Sequence, residues 1–167
     1  MVAMSEHNNE IIKQAMNSNR LESSAVHLLH RAGQCAGDIF SSEMICEGLT
    51  PRQFAVLVTV AQNEGLSQTD LVSKTGIDRS TLADIIRRML NKGLLQRRRA
   101  KEDARVYAVR LTQPGWNALN AAEPAASLAD KRILSALPPE KQEDFLNLLN
   151  IIVDNIRNIA VADQNQR

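Results

Sequence analysis

Positively charged side chains gather in one short stretch of the sequence, where Arg97, Arg98 and Arg99 precede the segment KEDARVYAVRLT at residues 101–112. Guanidinium and ammonium groups at this density are typical of surfaces that bind phosphate. A tight hairpin turn usually carries Asn-Gly or Asp-Gly, and this stretch has neither. It therefore predicts either a loop that contacts a polyanion, or a solvated loop whose ion pairs would contribute only about 0–1 kcal/mol to stability.

The charge of the whole chain is unevenly distributed along the sequence. Residues 51–110 carry 12 Lys and Arg against 6 Asp and Glu, whereas the rest of the chain carries 8 against 13. The formal net charge is nevertheless only +1. A basic middle between acidic flanks is typical of a nucleic-acid-binding insert in a larger scaffold, although a local fluctuation of charge would look the same.

Polar residues upstream of this stretch fall on one face of a predicted helix that could enter the major groove of DNA. The positions off its apolar face, with Thr81 at the margin, are Arg79, Ser80, Thr81, Asp84, Arg87 and Arg88. The first residues of such a helix reach base edges, so we expect Arg79 to bind guanine or phosphate. Arg87 and Arg88 are expected along a phosphate strand. A solvated polar face would show the same residues.

Helix signals place these residues in a helix-turn-helix. The segment LSQTDLVSKTG is predicted as a short helix in which Ser67 is the N-cap, Asp70 completes a capping box and Gly76 ends the helix. Ser67 and the following Gln68 could also clamp a phosphate at this helix start. The segment IDRSTLADIIRRMLNKG is predicted as the next helix, with Asp78 as its cap. A turn of about three residues between two helices is typical of this motif.

Two predicted strands and several long helices complete the fold. LLQRRRA and VYAVRLT are expected to form a hairpin, because Tyr107, Val109 and Leu111 alternate with other residues at the period of a half-buried strand. A first helix is expected to run from Leu21 to near Gly48, and LTPRQFAVL starts a second helix with a capping-box pattern. The predicted fold class is mainly α with a small β-hairpin, a winged helix-turn-helix framed by long N- and C-terminal helices.

Composition excludes several other classes of protein. Apolar residues make up 44% of the 167 residues, enough for a buried core, but aromatic residues make up only 3%. The low aromatic content argues against an RNA-binding surface built on base stacking. We expect neither a transmembrane span nor a signal peptide. Two cysteines without zinc spacing favour a reducing cytoplasm.

These segments resemble the MarR family of bacterial transcriptional regulators. The family's wing signature is Asp-x-Arg, five residues and then Leu-Thr, which here reads Asp103-Ala104-Arg105, VYAVR and Leu111-Thr112. LTPRQFAVL, LSQTDL, IDRSTLADIIRRMLNKGLL and RRRAKEDAR also match the family in order and spacing, and the likeness covers about residues 21–160. The segment TGIDRSTLADIIRRMLNKGLLQRRRAKEDARVYAVRLT is similar to a subgroup that controls breakdown of aromatic acids and their CoA thioesters.

The resemblance implies a homodimer that places two recognition helices in successive major grooves of a palindromic operator. It also implies that Arg105 reaches the minor groove and that Asp103 orients Arg105. From the charge of the same loop, we expect Lys101 to contact phosphate. The apolar stripe from Phe145 to Ile159 is consistent with a two-fold interface, although it could instead cover the chain's own first helix. The predicted organisation is an N-terminal arm at 1–20, a dimerisation helix at 21–48, a winged helix-turn-helix DNA-binding domain at 49–112, C-terminal dimerisation helices at 113–162 and a tail at 163–167.

The resemblance further implies a repressor that a small effector releases from DNA. We expect an aromatic carboxylate or an aryl-CoA thioester such as p-coumaroyl-CoA, bound between the dimer helices and the winged domain. The polar residues expected near that junction are His27, His30, Arg31, Arg52 and Trp116. Each of them could equally be a surface or interface residue without a ligand role.

Other functions are weaker alternatives. Some relatives sense peroxide through a cysteine near the start of the first helix, but Cys35 and Cys46 lie elsewhere and are expected to be packing residues. His27 and His30 could share a metal, yet no third ligand is evident, and phosphate-loop and nucleophile-elbow motifs are missing from the sequence. We therefore expect no enzyme activity, metal or cofactor. A winged helix used only for protein contacts is a further alternative.

Overall fold

The order of helices and strands confirms the predicted fold class. The computed structural model describes residues 20–45, 48–63, 65–99 and 107–164. Within these ranges the elements are α1 (Ala25–Glu43), α2 (Pro51–Gln62), α3 (Gln68–Thr75), α4 (Arg79–Asn91), β1 (Leu95–Arg99), β2 (Tyr107–Leu111), α5 (Gln113–Leu134) and α6 (Pro139–Gln164). None of these helices is apolar enough over a sufficient length to cross a bilayer.

The helices of the central domain begin where their capping residues predict. At the start of α2, Thr50 accepts a hydrogen bond from the Gln53 amide, and the Gln53 side chain accepts one from the Thr50 amide at 3.1 Å. Ser67 and Asp70 make the same reciprocal pair at the start of α3. Because the first amides of a helix have no partner within it, these side chains fix both starting points. Gly76 then ends α3 with a left-handed φ of 68°.

The first helix is shorter than the sequence predicts. It begins after Ser24, whose side chain accepts from the amide of His27, rather than at Leu21. It ends at Glu43 because the backbone leaves the helix at Met44, whose side chain is buried in the core. Gly48 has a left-handed φ of 62°, and its amide donates to the Met44 carbonyl. At the other end of the chain, α6 extends to Gln164, two residues beyond the predicted boundary.

The hairpin is antiparallel, with Leu95 opposite Leu111 and Arg97 opposite Val109. The prediction that β2 is buried on only one side is wrong, since Ala108 is as buried as Val109. The reason is that β2 has a second neighbour: the Val109 amide donates to the Leu66 carbonyl at 3.0 Å, and Ser67 forms a bridge with Ala108. The start of α3 therefore covers the outer edge of the hairpin.

The hydrophobic core lies among α2, α3, α4, the hairpin and α5. Its largest fully buried side chains are Val56, Leu57, Leu71, Leu82, Ile86 and Met89. Three of these six lie on α4, so that one face of this helix is held firmly in the domain. The described part of the chain buries no polar or charged side chain in the core, which leaves the polar face of α4 on the outside.

The junction between the hairpin and α5 is closely packed. Thr112 caps α5 by accepting from the Gly115 amide at 3.1 Å, and its hydroxyl donates to the Gly93 carbonyl at 2.5 Å. The Thr112 amide donates to the Leu94 carbonyl. A Cβ atom on Gly115 would collide with that same carbonyl oxygen of Leu94. The end of α4, the start of β1 and the start of α5 are thereby joined at one point.

Large apolar side chains remain exposed on α1 and α6. A groove of about 520 Å³ between these helices is lined by Leu28, Leu29, Phe145, Leu149 and Ile152, among others. Part of the predicted C-terminal stripe therefore faces α1 of the same chain. Other apolar side chains of the stripe are exposed, including Leu148 at 59% and Ile156 at 54%. Contiguous apolar surface of this kind marks an interaction site.

Candidate nucleic-acid interface

Helix α4 presents the polar face that the sequence predicts. Leu82, Ile85, Ile86 and Met89 are buried, and the four predicted contact residues Arg79, Ser80, Arg87 and Arg88 are exposed on the other side. Thr81 and Asp84 are half-buried at the margin between the two faces. The exposed side therefore carries polar and basic residues on a helix whose opposite side is fixed in the core.

Asp84 joins the two downstream arginines of α4 in one ionic cluster. Its carboxylate accepts from Arg87 Nη2 at 2.5 Å and from Arg88 Nε at 2.7 Å. These contacts, led by the hydrogen bond from Arg87, lower the pKa of the Asp84 carboxyl. The sequence-based prediction of three separate DNA contacts does not include this pairing. Their i, i+3 and i, i+4 spacing was the signal that could have revealed it.

Arg79 differs from the other two arginines of α4. It is the first residue of the helix and is exposed. Within residues 65–99, no ion pair or side-chain hydrogen bond holds its guanidinium, whereas Arg87 and Arg88 both contact Asp84. An unpaired guanidinium at the N-terminal end of the helix is the side chain best placed to reach a base edge.

Asp78 is the N-cap of α4. Its carboxylate accepts from the Thr81 amide at 2.9 Å and from the Ser80 hydroxyl at 2.7 Å. These hydrogen bonds, with those from Thr81 the largest cause, hold the pKa of the Asp78 carboxyl far below its usual value. The Ser80 hydroxyl proton is thus already donated within the protein, so Ser80 would meet DNA mainly as an acceptor.

The capping carboxylate predicts a pH effect on stability. Because the folded protein lowers the pKa of Asp78, its contribution is complete above the ordinary value of 3.8 and is lost as the pH falls through the lowered value. Asp78→Asn keeps a capping oxygen without the titration. In urea unfolding between about pH 6 and 2, we expect wild type to lose its advantage over this variant as the pH falls. Asp144→Asn, at an exposed site on α6, is the control, and a constant difference between wild type and Asp78→Asn would contradict the prediction.

The start of α3 brings Ser67 and Gln68 beside the hairpin. Both are half-buried, and the Ser67 hydroxyl donates to Asp70 at 2.7 Å. The hydrogen bonds from Ser67 also lower the pKa of Asp70. Ser67 is therefore a capping residue first. Its predicted contact with phosphate, like that of Gln68, remains a prediction.

The wing is described over both of its strands, up to Arg99 and again from Tyr107. Arg97 and Arg98 are both exposed, and they pair with Val109 and Ala108. As consecutive residues of a strand, they lie on opposite faces of the hairpin, as the strand period predicts. The loop residues with predicted roles, Lys101, Asp103 and Arg105, lie outside the described residues.

A cavity of about 630 Å³ opens beside α4, where α1, α2 and α5 meet it. This volume is within the usual range for a small-molecule site. Its lining residues are Gly33, Ala36, Gly37, Phe40, Thr50, Pro51, Arg52, Gln53, Thr81, Asp84, Ile85, Arg88, Asp130 and Ile133. The cavity thus combines apolar walls with four ionisable side chains.

Only one of the five predicted effector contacts lines this cavity, namely Arg52. Trp116 instead borders a separate cleft of about 250 Å³ at the base of the hairpin. His27, His30 and Arg31 lie on α1 and line neither space. Asp84, Arg88 and Asp130 were missed as cavity residues. No local signal could have found them, because the cavity joins four helices that are distant in sequence.

The other candidate residues of the sequence are the two cysteines and the possible metal ligands. Cys35 is exposed, so its predicted packing role is wrong for the described part of the chain, and Cys46 lies outside it. Among the residues that the structure covers, no three His, Cys, Asp or Glu side chains come together in a group that could hold a metal ion.

A capped helix pair, a basic reading face on its second helix and an adjoining hairpin together define a winged helix-turn-helix of the DNA-binding class. The chain belongs to the MarR family. The family's model matches residues 49–107. The transcriptional regulator HosA of Escherichia coli is 36% identical over 101 residues, which cover 60% of this chain and 75% of HosA.

Other relatives extend the comparison to regulators with known ligands. A transcriptional regulatory protein named for the hcr operon of Thauera aromatica is 32% identical over 103 residues, and the match spans only 62% of each protein. BpsR of Bordetella bronchiseptica, whose DNA binding is regulated by 6-hydroxynicotinic acid, superimposes with a TM-score of 0.75 at 29% identity, over 79% of this chain and 94% of BpsR. The repressor CouR bound to a 23-mer duplex gives 0.74 at 26% identity, over 80% and 94%, and CouR has also been solved with p-coumaroyl-CoA.

Proposed function

We propose that this protein is a dimeric, ligand-responsive transcriptional repressor of genes for the breakdown of aromatic compounds. The observation that carries the proposal is α4, a helix whose apolar face is buried and whose opposite face carries three arginines. The protein acts without catalysing a reaction, in the cytoplasm, where its DNA is accessible. The ligand-regulated DNA binding of BpsR and the DNA-bound structure of CouR support this function.

On DNA, α4 enters the major groove and the wing approaches the neighbouring minor groove. Residues at the start of α4, namely Arg79, Ser80 and Thr81, read base edges. The residues that contact phosphates around them are Ser67, Gln68, Arg87, Arg88 and Lys101. Arg105 enters the minor groove, and Asp103 and Asp84 orient the arginines beside them through charge-assisted hydrogen bonds.

Dimerisation pairs two such helices for a palindromic operator. The surfaces that support it are the exposed apolar side chains of α1 and α6, which a second copy would bury. The predicted dimerisation segments, 21–48 and 113–162, contain these helices and α5. The winged domain at 49–112 then extends from the paired helices, and the spacing of the two α4 helices sets the spacing of the half-sites.

The effector is an aromatic acid or an aryl-CoA thioester that binds the cavity beside α4. Phe40, Ile85 and Ile133 offer apolar walls for a ring, and Arg52 offers a cation for an acid group. A ligand that binds more tightly to a conformation with mismatched α4 spacing would release the operator. The 6-hydroxynicotinic acid of BpsR and the p-coumaroyl-CoA of CouR support this chemical class.

The DNA-binding half of the proposal is tested by selecting binding sites from random duplex DNA. We expect enrichment of a palindrome whose half-site centres lie about 10 base pairs apart, or a multiple of that distance. Affinity for the selected site should fall steeply with salt, by roughly a thousandfold or more between about 50 and 200 mM if six or more phosphates are contacted. No binding to any duplex at low salt would contradict DNA binding and favour a protein-interaction module.

The effector half is tested on the selected site with a panel of aromatic acids and their CoA esters. Ligands that release DNA should also raise the melting temperature of the free protein, since they bind its native state. Neutral aromatic amides of the same size are the control. If none of the acids or CoA esters changes either the melting temperature or the affinity for DNA, the effector class is wrong while the DNA-binding function stands.

A further inference from the structure

Two residues belong both to the surface of α4 that faces DNA and to the cavity beside it. Asp84 and Arg88 line the cavity, and their side chains are 41% and 63% exposed. They are therefore accessible from the cavity and from solvent, and a ligand that contacts them contacts the recognition helix itself.

The guanidinium of Arg88 is already occupied by an internal anion. Its Nε donates to the Asp84 carboxylate at 2.7 Å, and the second oxygen of the same carboxylate accepts from Arg87 at 2.5 Å. An ion pair this exposed is weak enough to be replaced by another anion. In the proposed function two further anions approach the same cation, an operator phosphate from outside and the acid group of an effector from the cavity.

We propose that Asp84 is a built-in competitor of the effector, which binds by taking the Arg88 guanidinium away from the Asp84 carboxylate. This inference rests on the proposed effector function of the cavity. The ligand class is an aromatic ring that carries one carboxylate, with the ring against Phe40 and Ile85 and the carboxylate on Arg88 and Arg52. A neutral ring of the same shape lacks the charge needed to displace Asp84.

The exchange of partners couples the cavity to DNA. When the effector carboxylate holds Arg88, this guanidinium is withdrawn from the phosphate strand, and the Asp84 carboxylate remains on α4 with only Arg87 to neutralise it. Both changes disfavour a polyanion at this surface. Because coupling between two binding sites is reciprocal, operator DNA must weaken effector binding by the same factor.

The test removes the charge of the competitor without changing its shape. In Asp84→Asn, the amide cannot form an ion pair with Arg88, so an acid no longer has to displace it. We expect salicylate and 6-hydroxynicotinate to bind this variant roughly two- to fivefold more tightly than wild type, the range expected for an exposed ion pair. Titration calorimetry on the full-length protein measures the affinity, and the neutral salicylamide should show no gain.

Three further variants separate displacement from general effects of charge. Arg88→Gln should weaken acid binding and abolish the gain from Asp84→Asn in the double variant, since the two residues act as a pair. Asp130→Asn removes the other carboxylate that lines the cavity, for which no ion pair is found among the described residues. Asp144→Asn breaks an exposed pair with Lys141 on α6, far along the chain. We expect a smaller gain from Asp130→Asn than from Asp84→Asn, since only general repulsion is relieved, and no gain from Asp144→Asn.

The outcomes distinguish this inference from the proposed function. Acids that bind wild type and Asp84→Asn equally would overturn the competitor role and leave the effector function standing. An equal gain in Asp130→Asn would also overturn it, because the effect would then come from net charge. Acids that bind neither wild type nor Asp84→Asn would overturn the effector function, and the inference with it. Melting temperatures of all variants within a few degrees of wild type confirm that they are folded.

Discussion

Replacing Gly115 by alanine should lower the free energy of unfolding by about 1–3 kcal/mol, the usual cost of forcing an extra carbon into a packed site. The new Cβ would meet the backbone carbonyl oxygen of Leu94 and would lie 2.9 Å from Cδ2 of Leu111. The Leu111 side chain can turn away, but the carbonyl cannot. It accepts from the Thr112 amide, and its displacement would disturb the junction of α4, β1 and α5.

The matched control is Gly33→Ala, the same substitution in the middle of α1. A Cβ there would have no heavy atom of the described chain within 4 Å, so alanine should be neutral or should stabilise the helix by up to about 1 kcal/mol. Urea unfolding of both variants gives the comparison. Equal losses of stability in the two variants would show that the contact at Gly115 is not the cause.

Replacing Arg79 by alanine should abolish most of the discrimination between the operator and random duplex DNA. An arginine that bonds a base edge contributes about 1–3 kcal/mol of discrimination, which corresponds to a loss of roughly five- to 150-fold in affinity for the operator. Affinity for random duplex should change much less. The expectation follows from the position of Arg79 at the exposed start of α4, where Asp84 does not engage it.

Two comparisons identify the kind of contact that is lost. Lys92→Ala changes an exposed cation just beyond the other end of α4, and there we expect only a small, uniform loss. Affinities of each variant for the selected operator and for random duplex are measured over a range of salt. If Arg79→Ala weakens both duplexes equally and makes the salt dependence shallower, Arg79 contacts a phosphate and the base edges are read by other residues.

Much of the central domain could be predicted from the sequence because its signals are local. The capping pairs Thr50 with Gln53 and Ser67 with Asp70 start their helices where expected. The buried and exposed faces of α4 follow from the 3.6-residue period alone. Each of these features depends on residues within one or two helical turns. Tertiary packing therefore leaves them unchanged.

The errors arise where residues distant in sequence meet. The first helix ends at Glu43 because Met44 enters the core, and Ala108 is buried because the segment before α3 covers β2. Neither cause can be read from the residues on either side. The exposed Cys35 is a related error, since burial depends on what packs against a helix and not on the type of residue.

The sequence by itself determined the class of protein, the reading helix and the cations on its surface, because helix starts, periodicity and turn residues act over a few positions. Tertiary structure alone decided which cavity adjoins those cations. Only the packing of α1, α2, α4 and α5 forms the cavity that brings Arg52, Asp84 and Arg88 to one space. Arg52 lies on α2 and the Asp84–Arg88 pair lies on α4, and no local spacing along the chain records the distance between the two helices.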